Sequence, residues 1–164
     1  MIRLCLKTDI NRIYFIINEA AKAYDGVIPD DCYRLPYMPL KELQSEMQRM
    51  TFYGWEDSGN LVGVMGSEPM HDVTLVRHAY VLPEWQSQGI GAALLSHVMD
   101  GVNTRRVLVG TWTANIRAIK FYQRYGFILQ PDKDRLLKTY WGISPRQIET
   151  SVVLERRQGL EIRE

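Results

Sequence analysis

The sequence predicts an α/β fold of the α+β kind: a mixed, mostly antiparallel central sheet of about seven strands flanked by helices. Three observations predict it. Short runs with apolar residues at every second position alternate with longer runs whose apolar residues recur every three or four. Three strand-like runs between Phe52 and Val81 follow one another with only short turn-forming segments between them, as antiparallel neighbours do. From Val73 on, the order becomes strand, loop, helix, strand, helix, strand. With 164 residues the chain is one domain of ordinary size, able to bury roughly two thirds of its unfolded surface around a single core. That domain is expected over 1–154, with a charged tail over 155–164.

Each element follows from its residues. Ile2, Leu4 and Leu6 alternate with Arg3, Cys5 and Lys7, which predicts a half-buried strand. Thr8 or Asp9 is placed to cap the next helix, whose face is Ile10, Ile13, Tyr14, Ile17, Ala20, Ala21 and Tyr24. Pro29, Pro36 and Pro39 mark a loop over 25–39. Leu40, Leu43, Met47 and Met50 lie at helical spacing. Phe52–Glu56 and Leu61–Gly66 flank Asp57, Ser58, Gly59 and Asn60, a hairpin turn by composition, and Val73–Val81 extends the sheet. A helix to Asp100, a strand over Arg106–Thr111, a helix over Asn115–Tyr125 and a short strand over Phe127–Leu129 come next. Between these and a final strand over Ile148–Leu154 lies an insertion, 132–147, with a helix-like DRLLKTYWG and the start signal SPRQ.

The chemistry concentrates where the apolar run ending at Ala79, Tyr80 and Val81 breaks at Pro83 into QSQGIG and turns helical. Gly89 and Gly91 lack Cβ, so the backbone from Gln86 through Ser87, Gln88 and Ile90 to Ala92 can turn sharply and bring several N–H groups against a bulky ligand. The first turn of the following helix has unpaired N–H groups and a dipole that favour phosphate by roughly 0.3–2 kcal/mol. A dinucleotide fingerprint needs a third small residue and an acid about 20 positions on. Here Leu94 stands at the former place, and Val109, Gly110 and Thr111 at the latter. No Walker G-K-S/T occurs either.

Gln86, Gly89 and Gly91 fit Q/R-x-x-G-x-G/A behind the V-x-P of Val81, Leu82 and Pro83, and this resembles the acetyl-CoA-binding motif of the GNAT N-acetyltransferase superfamily. Asn115, Ala118, Phe121, Tyr122, Gly126 and Phe127, in the order N-x-x-A-x-x-F-Y-x-x-x-G-F, resemble the family's second cofactor segment. The match covers about 73–128; the long 132–147 insertion departs from it. The resemblance implies a GNAT-like acyl-CoA N-acyltransferase fold and acetyl-CoA as acyl donor, with no metal. It implies main-chain groups of Ala79, Tyr80 and Val81 on the pantetheine arm, amides of 86–92 on the pyrophosphate, Asn115 on the pantetheine and Tyr122 as general acid. Asn115 is equally a helix cap, and the two roles coexist. Tyr122 also suits a core position, and Arg117, Lys120 and Arg124 stand ready for a 3′-phosphate or simply face water.

Transfer to an amine needs a proton acceptor, because an amine of pKa near 10.4 is neutral in roughly one molecule in a few thousand at pH 7. His78 suits this by its titration near neutrality; Glu68 and His71 are further candidates, as is a water chain. His78 is otherwise a half-buried edge histidine, and His97 a packing residue. Tyr24, Tyr37, Trp112 and Trp141 are the candidate acceptor-binding aromatics, near Asp25, Asp30 and Asp31, which suit a cationic amine; otherwise they pack the loops. The expected activity is direct acetyl transfer to a primary amine of a small molecule or peptide in a ternary complex. The alternatives are a CoA-binding sensor or assembly subunit without turnover, and the same fold with a longer acyl-CoA.

Composition narrows the partners. Twenty Lys and Arg against nineteen Asp and Glu leave a charge of +1, with no basic stripe to suggest nucleic acid or an anionic membrane. Cys5 and Cys32 are too few and too far apart for a metal or redox motif. Two free thiols, no leader-like start and no long apolar run give the expectation of a cytoplasmic protein, monomeric or homodimeric.

Overall fold

The computed structural model describes residues 1–159. In chain order the elements are β1 (Ile2–Leu4), α1 (Ile10–Ala21), α2 (Leu40–Met47), β2 (Thr51–Asp57), β3 (Asn60–Met70), β4 (Val73–Val81), α3 (Ile90–Asp100), β5 (Arg106–Trp112), α4 (Ile116–Arg124), β6 (Ile128–Leu129), α5 (Lys133–Tyr140), α6 (Pro145–Glu149) and β7 (Ser151–Arg157). The seven strands form one sheet in the order β1-β2-β3-β4-β5-β7-β6. Contacts divide the chain into two compact units, one of 1–23, 34–68 and 76–102, the other of 24–33, 69–75 and the residues from 103 on.

In the first unit, β1 and β2 pair antiparallel with Ile2 opposite Trp55, and β2 and β3 form a hairpin that closes at Asp57 and Asn60. Ser58 and Gly59 between them both have positive φ, 51° and 83°, the type I′ geometry that matches strand twist. Helix α1 buries Ile13, Ile16, Ile17, Ala20 and Ala21, so Ile16 takes the place expected of Ile10 and Tyr14. The expected face of β1 is reversed. Leu4 and Leu6 are more than half exposed, while Arg3 turns toward Asp9, at 2.9 and 3.0 Å, and Glu56, at 3.0 Å. An ion-paired guanidinium has overruled the alternation. The same contact occupies Asp9, whose carboxylate also accepts the Leu6 N–H, and α1 has no side-chain cap. The Cys5 thiol is half-buried, and burial pushes its pKa up to about 12.

In the second unit, β5 pairs antiparallel with β7 along its whole length, from Arg106 opposite Arg157 to Trp112 opposite Ser151, and β6 pairs with β7 on its other side. The insertion supplies much of this unit's core: Leu136 and Leu137 of α5 and Ile148 of α6 join Val73, Leu75, Leu108 and Val153. Strand β7 is shifted from its expected 148–154. Ser144 caps α6 by accepting the Gln147 N–H and Pro145 opens the helix, so Ile148 is helical. The strand then runs on to Arg157, and three residues of the expected tail are sheet; 160–164 lie outside the described residues.

Glu155 explains the extension. Its carboxylate is buried and meets Arg106 at 2.7 Å and Arg157 at 2.8 Å. Burial alone would hinder ionisation, but the hydrogen bonds from the two arginines outweigh it and hold the carboxyl below its ordinary value. A carboxylate lowered on folding stabilises above its unfolded pKa, about 4.3, and that contribution is lost as pH falls through the folded value. Glu155→Gln should therefore cost roughly 1–3 kcal/mol at pH 7 and flatten the acid side of a Tm against pH curve; a curve parallel to wild type would contradict this pairing.

Candidate active site

The glycine loop is built at the end of β4. Leu82 donates its N–H to the Val62 carbonyl at 2.9 Å, and Pro83–Trp85 make one 3-10 turn. Gln86 then folds its side-chain amide back to the Val81 carbonyl at 2.9 Å, tying the loop to the strand it leaves. Ser87 and Gly89 have positive φ, 63° and 84°, the alternation that lines N–H groups along a concave backbone. Gly89 is the N-cap of α3 with no side-chain cap, and the helix's own bonding starts with Ala93 N–H on the Gly89 carbonyl at 3.0 Å. The N–H groups of Ile90, Gly91 and Ala92 precede that bond in the first turn. Ser87, Gln88 and Gly89 are exposed, whereas the Ile90 side chain is buried and anchors the helix. A Cβ on Gly63 of β3 would lie 3.1 Å from Ile90 and 3.2 Å from Val81, so this glycine lets α3 sit close to the sheet.

Ala79, Tyr80 and Val81 lead into the loop half-buried. His78, just before them, has φ +53°, in the left-handed region within a strand. Successive strand side chains ordinarily point to opposite faces, yet Arg77 and His78 reach the same carboxylate: Glu46 of α2 lies 3.0 Å from Arg77 and 2.9 Å from His78 Nε2. The left-handed turn at His78 breaks the alternation and makes this possible. Arg77 and Arg49 both reach Glu68 as well, at 3.0 and 2.9 Å, and the Phe52 ring stacks on His78 at 6.1 Å. Glu46 is buried, which by itself opposes ionisation, but His78, Arg77 and Arg49 together hold its carboxyl below its ordinary value.

Both Glu68 oxygens are engaged by arginines, so Glu68 enters this cluster as an anchor of ion pairs. Glu46 was not foreseen in the sequence. Its signal was a carboxylate three residues after Leu43, on the stripe that carries Leu43 and Met50 inward. His71 is exposed in the turn between β3 and β4, and His97 is exposed on α3 with its ring edge-on to Tyr53 at 4.8 Å.

In the second unit, Asn115 caps α4 by accepting the Ala118 N–H at 3.3 Å, and its amide NH2 donates to Thr111 at 3.2 Å and to the Tyr24 hydroxyl at 3.4 Å. About two turns past the cap, at 3.6 residues per turn, Tyr122 is 4% exposed. Phe121 and Phe127 meet its ring edge-on at 5.1 and 5.4 Å. Burial raises its phenol pKa above the ordinary value, with nearby Tyr24 adding to the shift. Phe127 follows Gly126, whose φ of 88° ends the helix.

The expected acceptor residues differ in their surroundings. Tyr24 is half-buried beside Asn115, and Tyr37, in the first unit, is half-buried too. Trp112 is buried at the end of β5. The Trp141 indole lies against Gly110, 3.1 Å from where a Cβ would stand, beside the second unit's core. Asp31 is held by Arg146 at 2.8 and 3.1 Å, leaving Asp25 and Asp30 as exposed acids in that loop. Arg117, Lys120 and Arg124 lie exposed on α4.

Comparison with known proteins gives three findings. Residues 13–127 match the model of the acetyltransferase (GNAT) family. Among solved structures, the PaiA N-acetyltransferase of Thermoplasma acidophilum in complex with coenzyme A superposes with TM-score 0.74 at 17% identity, over 96% of this chain and 98% of that one. The ribosomal-protein-S18-alanine N-acetyltransferase of Escherichia coli does so with TM-score 0.65 at 17% identity, over 98% and 96%. At such identities the likeness is one of fold. A curated relative, UPF0157 protein YqkA of Bacillus subtilis (strain 168), is 34% identical over 90 residues, 54% of this chain, and the match spans 25% of that protein's length.

Proposed function

Because the chain belongs to the acetyltransferase (GNAT) family, we propose that it is a cytosolic N-acetyltransferase carrying the acetyl group of acetyl-CoA directly to a primary amine of a small molecule or peptide. The observation that carries this reading is the 86–92 loop, with left-handed backbone at Ser87 and Gly89 running into the uncapped first turn of α3. A diphosphate is the ligand such a row of N–H groups and a helix dipole suit. The main chain of Ala79, Tyr80 and Val81 holds the pantetheine arm.

In the reaction the amine must lose a proton, attack the thioester carbonyl, and see the carbon–sulfur bond break. Orientation and a main-chain N–H aimed at the oxyanion supply much of the rate. His78 accepts the amine's proton, and Tyr122 donates to the departing sulfur. The raised pKa keeps the phenol protonated at neutral pH, as a donor must be.

The test is thiol release from acetyl-CoA across a panel of a polyamine, an amino-acid amide, a short peptide and an aminoglycoside, beside calorimetry with coenzyme A. Release with at least one amine is expected. Tight binding without release for any amine would make the protein a coenzyme A sensor, and no binding at millimolar coenzyme A would overturn the reading. Repeating the assay with longer acyl-CoA donors checks the preference for acetyl.

A further inference from the structure

We infer that Glu46 is the positioning residue of the proton acceptor: it holds His78 as the Nε2–H tautomer and leaves Nδ1 as the nitrogen that takes the amine's proton. The inference rests on the reading of the protein as an N-acetyltransferase. Glu46 Oε2 and His78 Nε2 lie 2.9 Å apart and both are buried, yet the contact is not aligned as a hydrogen bond and neither atom has another partner among the described residues. Buried polar atoms are almost always satisfied, and a small rotation that brings the ring N–H into line with the carboxylate satisfies both. That proton must sit on Nε2 when the carboxylate is ionised, which puts the lone pair of a neutral ring on Nδ1.

The surroundings support this in four ways. Glu46 is fixed from other directions, because its second oxygen meets Arg77 at 3.0 Å and Arg49 at 3.7 Å. Arg77 and Arg49 each bridge Glu46 and Glu68, two cations for two anions, so the carboxylate that His78 meets already sits in a charge-balanced cluster. His78 keeps 13% of its side chain exposed while Glu46 keeps 5%, so the histidine is the member of the pair with an open margin. The left-handed φ of His78 is the local strain that turns its ring onto Glu46, and such strain gathers at working sites.

In the step itself, nitrogen bonds to the carbonyl carbon, the carbon–sulfur bond breaks, and the nitrogen's proton passes to Nδ1 and from there to water. The thiolate leaves with the Tyr122 hydroxyl as its donor. Glu46 stabilises the imidazolium formed on the way, as an orienting carboxylate does behind a catalytic histidine.

Three measurements test the pair, and the first needs no turnover. Long-range proton–nitrogen spectra of histidine-labelled protein, with His78→Gln to assign the signal among three histidines, should show the neutral His78 ring protonated on Nε2; protonation on Nδ1 would overturn the inference even if the protein is a working acetyltransferase. The second is kcat/KM with whichever amine the panel identifies. Glu46→Gln leaves the imidazolium without its orienting carboxylate, so kcat should fall about tenfold or more while the KM for acetyl-CoA stays within about threefold. An unchanged kcat in a variant with wild-type coenzyme A affinity would also overturn it. His78→Gln should cost on the order of a hundredfold against a lysine-like amine and much less against an amino-acid amide assayed above pH 8, where the amine is already largely neutral. Equal losses against both would reduce His78 to a structural residue.

Discussion

Gly89→Val is expected to weaken coenzyme A binding by about tenfold to a hundredfold while the protein remains folded. The backbone at residue 89 has φ +84°, where a β-branched side chain is a steric outlier. Holding valine there costs about 1–3 kcal/mol, and each 1.4 kcal/mol is about tenfold in affinity. The free protein has an inexpensive way out: apart from the chain neighbours, no atom of the described residues lies within 4 Å of the added Cβ, and the flanking Ser87 and Gln88 are exposed, so the loop can relax to ordinary φ. Relaxation turns N–H groups away from the concave side of the loop, and binding must then reverse it. The strain is thus felt in the complex more than in the fold. Calorimetric titration with coenzyme A reads the affinity, and thermal unfolding reads the fold. Gly89→Asn is the control, since asparagine tolerates left-handed backbone and should bind within a few-fold of wild type. Wild-type affinity in the valine variant would remove the diphosphate from this loop.

The glycine loop was legible in the sequence because its determinants are local. Pro83 ends a strand, Gly89 allows one left-handed residue, and the apolar spacing after it marks a helix; nothing distant has to be known. The same holds for the Ser58–Gly59 hairpin, the Asn115 cap and the Ser144–Pro145 start of α6, each set by residues within four positions of one another. What periodicity could not convey was charge pairing across the chain. Arg3 meets Glu56, and Arg106 meets Glu155. The first reversed the buried face of β1, and the second extended β7 into a segment whose composition suggested a solvated end. The cluster of Glu46, Glu68, Arg49, Arg77 and His78 is the same case at the candidate site. Alternation predicts Arg77 and His78 on opposite faces, and only the left-handed turn at His78, which no residue pattern announces, brings both to one carboxylate.

Tyr122→Phe should lower kcat by about tenfold to a hundredfold, leave the KM for acetyl-CoA within about threefold, and barely change stability. The substitution keeps the ring, and with it the edge-on contacts to Phe121 and Phe127 that hold this side chain in the second unit. Only the hydroxyl goes. A merely structural phenol would produce a stability change of up to about 1 kcal/mol and no change in turnover, whereas a donor to sulfur produces the reverse. The size of the effect is bounded by chemistry. A thiol of pKa near 8.5 leaves as a stable anion, and the phenol lies above its own ordinary value because it is buried, so full transfer of its proton to the thiolate is uphill. Its contribution is the strong hydrogen bond to the charge as it develops, a loss of tens-fold and not thousands-fold. The same reasoning fixes a pH signature. A phenol raised on burial stays protonated well past neutrality, so the wild-type kcat profile should show no alkaline loss attributable to Tyr122 below about pH 10. An unchanged kcat in the phenylalanine variant would return Tyr122 to the core of its helix face and leave the thiolate to depart unaided.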